Sequence, residues 1–305
     1  MTHDRWPALP YEAWKDTYAT LHLWLQIVGK VRLARMPWLN HCWQVTFYPS
    51  VRGLTTGSMP YGEEHLQIDF DFIAHELVVQ TSRGERRSIA LVPMPVADFY
   101  RALMATLTAV GMPVQIYPKP AEMESQLAFD RDTEHRAYDA AYAHRCWRVL
   151  CSCADVLRQF RSRFYGKASP VHLFWGSFDL AVTRFSGRIA PPHPGGVPNL
   201  PDRVTRDAYS HEVSSCGFWP GGAAAPYPLF YSYAYPEPAG FAAAPLQPPA
   251  ARYDASLHEF ILPYAAVSEA AAPEELLLGF LQSSYEAAAN LGRWDRPSLE
   301  VPRAA

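Results

Sequence analysis

Apolar residues along the chain recur with two spacings, a helical one and a two-residue one, and the two alternate in blocks. In the first block Leu21, Leu25 and Val28 fall on one side of a helix, with Trp14 and Trp24 adding bulk. Pro10 stands just before it, Gly29 weakens its end and Pro37 stops it, so the spacing predicts a helix over 11–35. Over 41–48 the pattern CWQVTFY alternates as a strand does. The turn-rich RGLTTGSMPYG leads into two further strands, LQIDFDF and HELVVQTS, and Ser82-Arg83-Gly84-Glu85 predicts a hairpin into RRSIALV. After Pro95, the stripe Phe99, Leu103, Leu107 and Val110 predicts an amphipathic helix that ends at Gly111. VQIYPKP reads as a short strand and 119–132 as a connector.

The second half repeats this order. A long helix is predicted over 134–165, closed by Gly166, and then one strand along SPVHLFWGSFDLAVTRF. A Pro/Gly loop over 190–202 follows, with strands near 208–217, 229–235 and 258–262 and a last helix over 273–291. Proline-heavy 236–249 reads as a surface loop. Each half therefore gives helix, about four strands, helix. Gly29-Lys30 and Gly166-Lys167 stand at matching places, and Trp43 and Arg52 match Trp175 and Arg184 at one constant offset. Internal duplication and chance identity both account for these matches.

A chain of 305 residues suffices for one large domain or two ordinary ones, and 49% hydrophobic residues supply a sizeable core. A formal net charge of −3 gives a nucleic-acid partner no electrostatic support. Lysine occurs only at Lys15, Lys30, Lys119 and Lys167. The five cysteines, Cys42, Cys146, Cys151, Cys153 and Cys216, are odd in number and without framework spacing, which argues against a disulfide scaffold. The first residues do not follow the plan of a signal peptide, and no apolar run approaches membrane-spanning length. A cytoplasmic protein is expected, with no nucleic-acid and no membrane partner.

WPALPYEAWKDTYATLHLWLQIVGK, RGLTT, IDFDF, SPVHLFWGSFDLAVTRFSGR and YSHEVSSCGFWPG resemble a bacterial family known only as a domain of unknown function. The resemblance spans nearly the whole chain and implies a single full-length module. It carries no activity, substrate or site residue, so the chemistry is read from the side chains.

The richest stretch is 169–219. Period two along 172–183 puts His172, Phe174, Phe178, Leu180 and Val182 on one face and Leu173, Trp175, Ser177, Asp179 and Thr183 on the other. If the strand carrying His211 lies alongside, His172 and His211 share a face, and His193 in the Pro/Gly loop could join them. Three imidazoles, or two with Glu212 or Asp179, with one open position make the ligand set of a catalytic zinc or non-haem iron site. The His spacings match no established metal motif, and buried, hydrogen-bonded core histidines are the competing reading. Arg184 or Arg52 could clamp an anion through its planar fork, or Arg184 could pair with Asp179 inside the sheet. Lys30 and Lys167 each follow a glycine at a predicted helix end, where a cation suits the dipole. Asp69 and Asp71 share a strand face, either solvated or as an acid/base pair.

The expected fold is α+β: antiparallel sheets flanked by helices, in two similar halves fused into one globule. The first half covers 1–120, a connector 121–133, and the second half, with the candidate pocket, 134–305. The expected function is a small-molecule enzyme, with catalytic His172, His211, Glu212 and Asp179 and ligand contacts from Trp175, Arg184, Trp219, Trp43 and Arg52. A divalent Zn or Fe on His172, His211 and His193 is the cofactor considered. The alternative is a non-catalytic module that binds or senses a small molecule.

Overall fold

The computed structural model describes residues 5–123 and 125–302. The extreme ends of both predicted halves and position 124 of the predicted connector lie outside the described residues. Helix α1 (Lys15–Arg35) follows a 3-10 turn at Tyr11–Ala13. It is buried almost all round, His22, Gln26 and Lys30 as well as Leu21, Trp24 and Val28, as a helix at the centre of a core must be. Gly29 does not end it. A Cβ at that position would overlap the Trp175 ring, so glycine serves close packing in mid-helix.

The first sheet holds β1 (Tyr48–Pro49), β2 (Gly53–Thr55), β3 (Met59–Tyr61), β4 (Glu64–Asp71), β5 (Glu76–Thr81) and β6 (Arg86–Ala90). Its antiparallel order is β1-β2-β4-β5-β6, with β3 also on β4. Leu66, Ile68 and Phe70 of β4 face the core, where Phe70 stacks near Phe99 of α2 (Val96–Ala109) and Phe99 stacks on Trp24 at 4.8 Å.

Two predicted strands of this half are absent. Residues 42–48 do not alternate in a ladder. Asn40–Val45 is a 3-10 turn, with His41 and Cys42 left-handed at φ 60° and 58°. Gln44 Oε1 accepts the Leu39 N–H and the Thr46 hydroxyl donates to Trp43 O, local bonds that compete with strand pairing. VQIYPKP also forms no strand.

Helix α3 (Ala140–Ser162) opens the second half, capped by Asp139. The long predicted strand at 169–185 is a hairpin instead: β7 (His172–Phe174), a turn over 175–178 with Phe178 at φ 60°, and β8 (Asp179–Ile189). Helix α4 (Asp202–Ala208) follows the Pro/Gly loop. Then come β9 (His211–Trp219), β10 (Leu229–Tyr235), β11 (Arg252–Asp254), β12 (Glu259–Pro263), α5 (Tyr264–Ser268), α6 (Pro273–Leu291) and α7 (Arg296–Leu299). The second sheet is antiparallel in the order β11-β12-β10-β9-β8-β7.

The fold is thus α+β, two six-stranded antiparallel sheets flanked by helices. Each half holds six strands between its long helices, the second run interrupted by α4; β1, β2, β3 and β11 are too short to alternate visibly, and β7 and β8 come from one predicted strand. The sheets meet edge to edge: Phe47 N donates to Leu173 O at 2.9 Å and Leu173 N returns to Phe47 O at 2.8 Å. Trp43 sits in a 3-10 turn and Trp175 in a hairpin turn, while Arg52 is exposed and Arg184 buried in β8, so these matched residues do not occupy equivalent places. Among the described residues no helix is long and apolar enough to cross a membrane.

Candidate functional site

The hairpin reverses the predicted faces of 172–183. His172 pairs with Ala181 and Phe174 with Asp179, so His172 and Asp179 lie on one face with Thr183, while Leu180, Val182 and Arg184 lie on the other. The second set packs on α3 and α6, where the Arg184 guanidinium lies over Phe160 at 3.5 Å and Tyr285 at 4.3 Å and donates to Phe160 O. Burial brings Arg184 down to about 10. It is neither an anion clamp in the pocket nor the partner of Asp179, since the sheet separates them.

The first face is the polar one. Pairings carry it from Ala181 to Gly217 and Tyr231, and from Thr183 to Ser215 and Tyr233. Tyr231 crosses the sheet over Gly217, where a Cβ would stand 2.6 Å from its hydroxyl, and that hydroxyl donates to Asp179. Ser177 donates to the same carboxylate. Burial raises Asp179 above the usual carboxylate value, and the two hydroxyls draw it part of the way back. Tyr231 stacks beside Tyr233 at 6.1 Å, Tyr209 donates to Tyr233 at 3.0 Å, and Thr183 and Ser215 share a hydrogen bond of 2.8 Å. Trp219, Leu229, Ile261 and Leu257 supply an apolar wall.

Two more carboxylates reach this face. Glu259 of β12 lies on the same side as Ile261, which pairs with Tyr231. Glu122 comes from the connector at φ 58°, its carboxylate resting against Gly176, where any Cβ would collide with it. Burial, reinforced by the charge of Asp179, lifts Glu122 to about 7 and Glu259 to about 8. Glu122 is nevertheless exposed at its surface. None of the three carboxylates has an ion-pair partner among the described residues. Neither glutamate was legible as a site residue. Glu122 sits in a stretch without periodicity, and only the alternate tyrosines of LFYSYAY hint at a polar stripe.

The predicted imidazoles separate. His172 is buried among Trp43, Tyr48 and Phe174, with Nδ1 unpartnered, and burial takes it down to about 3. His211 stands edge-on to His41 at 6.0 Å and bonds the Ser210 hydroxyl. His193 stacks on Tyr209 at 4.9 Å and accepts the Gly195 N–H. Their immediate neighbours are disjoint, and among the described residues no three His, Cys, Asp or Glu side chains are placed to hold a metal ion. The predicted ligand trio therefore does not form.

Glu212 is tied to Arg188 and Ser186, and Arg188 also caps the α6 C-terminus through Gly292 O. Trp175 is buried against Gly29, and Trp219 borders the cleft. Arg52 pairs with Asp71 at 2.5 Å. Asp69 is held instead by Gln67 and Gln80, so Asp69 and Asp71 have separate partners. An open groove of about 760 Å³, lined by His75, His144, Arg145 and Arg148 among others, lies elsewhere on the molecule. Arg145 there is spent on Ala8 O, and among the described residues no carboxylate lines the groove.

Fold and face together define an α+β protein with a tyrosine-lined polar sheet face, on which three carboxylates have no ion-pair partner among the described residues. By comparison with known proteins, residues 6–301 match the model of a family of unknown function, DUF5996, and the chain belongs to that family. No curated protein and no solved structure matches it.

Proposed function

We propose that the protein is a small-molecule enzyme whose cleft takes an amine or other organic cation and exchanges a proton with it through Glu122 and Glu259. One observation carries this reading: carboxylates without a cationic partner among the described residues, poised near neutral pH, above a floor of tyrosine rings. Uncompensated acids in a partly desolvated cleft favour a positive ligand, and aromatic faces add cation–π attraction. A carboxyl group with a value near the working pH is suited to general acid–base chemistry. The alternative of a non-catalytic binding module is favoured by Asp179, which Ser177 and Tyr231 hold as a fixed acceptor rather than a mobile acid.

A cytoplasmic location belongs to the same proposal and is supported by five unpaired thiols. Internal duplication is likewise a proposal, supported by the common helix–strands–helix order.

Calorimetry with ethanolamine, choline and spermidine in buffers of different ionisation enthalpy tests the site. Saturable binding accompanied by proton release, and lost in Glu259→Gln, supports it. Binding without proton release favours the non-catalytic module. No binding by any of the three cations sinks both versions.

A further inference from the structure

Beyond this cleft, the structure brings together two basic side chains that ordinarily avoid contact. Lys167, just past α3, places Nζ 2.6 Å from His41 Nε2. His41 Nδ1 faces two backbone carbonyls, Asp207 O and Ala208 O, each at 3.2 Å. Carbonyls only accept, so Nδ1 carries the ring proton and Nε2 presents a lone pair to the lysine. His41 is buried and its backbone is left-handed, a conformation a non-glycine residue keeps only where its surroundings enforce it. The amine lies over Phe185 at 4.8 Å and Trp43 at 5.4 Å, and no carboxylate pairs with it among the described residues. Lys167 itself is exposed. Nucleophile, adjacent base and a third group that orients the base recur in covalent catalysis.

We propose that Lys167 and His41 form a nucleophile–base pair in which the Lys167 amine condenses with an aldehyde or ketone. His41 Nε2 takes a proton from the ammonium, and the freed nitrogen lone pair attacks the carbonyl carbon while the C=O π electrons move to oxygen. A second proton, from the attacking nitrogen, converts the alkoxide to a hydroxyl. The proton held by His41 then passes to that hydroxyl, which leaves as water, and a protonated carbon–nitrogen double bond remains. The Asp207 and Ala208 carbonyls hold the ring in the required tautomer, and Trp43 and Phe185 offer flat apolar surface to the carbonyl compound. Burial lowers both basic groups, His41 being lowered further by the charge of Lys167, while Asp207 opposes the shift on each. His211, edge-on to His41, is the other titratable ring in the cluster. Nothing here depends on the carboxylate cleft.

With four lysines in the chain, the test maps cleanly. The full-length protein is treated with glyoxylate and sodium cyanoborohydride near neutral pH, and carboxymethylation is followed lysine by lysine by mass spectrometry. Lys167 is expected to react about tenfold faster than exposed Lys119 and Lys15, a barrier lower by about 1.4 kcal/mol. His41→Asn, chosen because asparagine tolerates the left-handed backbone, is expected to bring Lys167 down to the rate of Lys119 with Lys15 unchanged. If that variant fails to fold, the pH–rate profile of the natural protein decides: Lys167 must rise at lower pH than Lys119. Equal rates for Lys167, Lys119 and Lys15, or coincident profiles, overturn the proposal.

Discussion

Asp179 shows how single residues set the character of the cleft. Its carboxylate is buried in the sheet face and depends on two hydroxyl donors. Tyr231→Phe removes one of them and leaves the ring packing intact. We expect a loss of about 1–3 kcal/mol in urea unfolding, as for a hydrogen bond to a buried charged acceptor. Titration adds a second prediction at this scale. Glu122 and Glu259 titrate higher in the fold, at about 7 and about 8, than the ordinary 4.5. The native state therefore binds more protons than the unfolded chain, and stability falls as pH rises through that window. Buried His22 and His172, at about 4 and about 3 against an ordinary 6.5, act in the opposite sense and cost stability as pH falls below 6.5. The two effects oppose each other between 4.5 and 6.5, so melting temperature should decline from pH 6.5 to 8 and should also decline below 4.5. A Glu259→Gln variant should show a shallower decline on the alkaline side.

Among the elements, helices were the most legible and the segment around the site the least. α2 and α6 follow their apolar stripes closely, since helical periodicity over several turns is a strong signal. α3 begins at Ala140, later than predicted, because Asp139 supplies the cap by accepting the Tyr142 N–H at 3.1 Å. Asp139→Ala should therefore destabilise the protein by about 0.5–2 kcal/mol in denaturant titration, the usual worth of such a cap. Strand alternation was read correctly in β4 and β5 and wrongly across 169–185. There the left-handed Phe178 folds one apparent strand into a hairpin and exchanges the faces of His172 and Leu180. Gly176 and Ser177 favour a turn there, but the left-handed residue is Phe178, and a bulky aromatic is a poor candidate for positive φ. What holds it is tertiary: Phe178 packs on Tyr18 and His22 of α1, and His22 bonds the Trp175 and Gly176 carbonyls.

At the scale of the whole molecule, α1 belongs to the first half by sequence but is enclosed by both. Its Gly29 face receives Trp175 and its Gln26 reaches Gly176. The two sheets are further joined through Phe47 and Leu173. A fragment ending at residue 120 would expose these surfaces, so we expect it to lack dispersed amide signals in NMR while the full chain unfolds in one transition by fluorescence and circular dichroism. The sequence alone determined the class of fold, the helices with clear stripes and the strands long enough to alternate, because these depend on periodic burial within one element. Only the tertiary structure decided which side chains share the cleft. Glu122, Asp179, Glu259 and Tyr231 come from segments far apart in the chain, and the same is true of Lys167 and His41. Their convergence depends on strand order and on one unforeseen turn, and neither leaves a mark in local spacing.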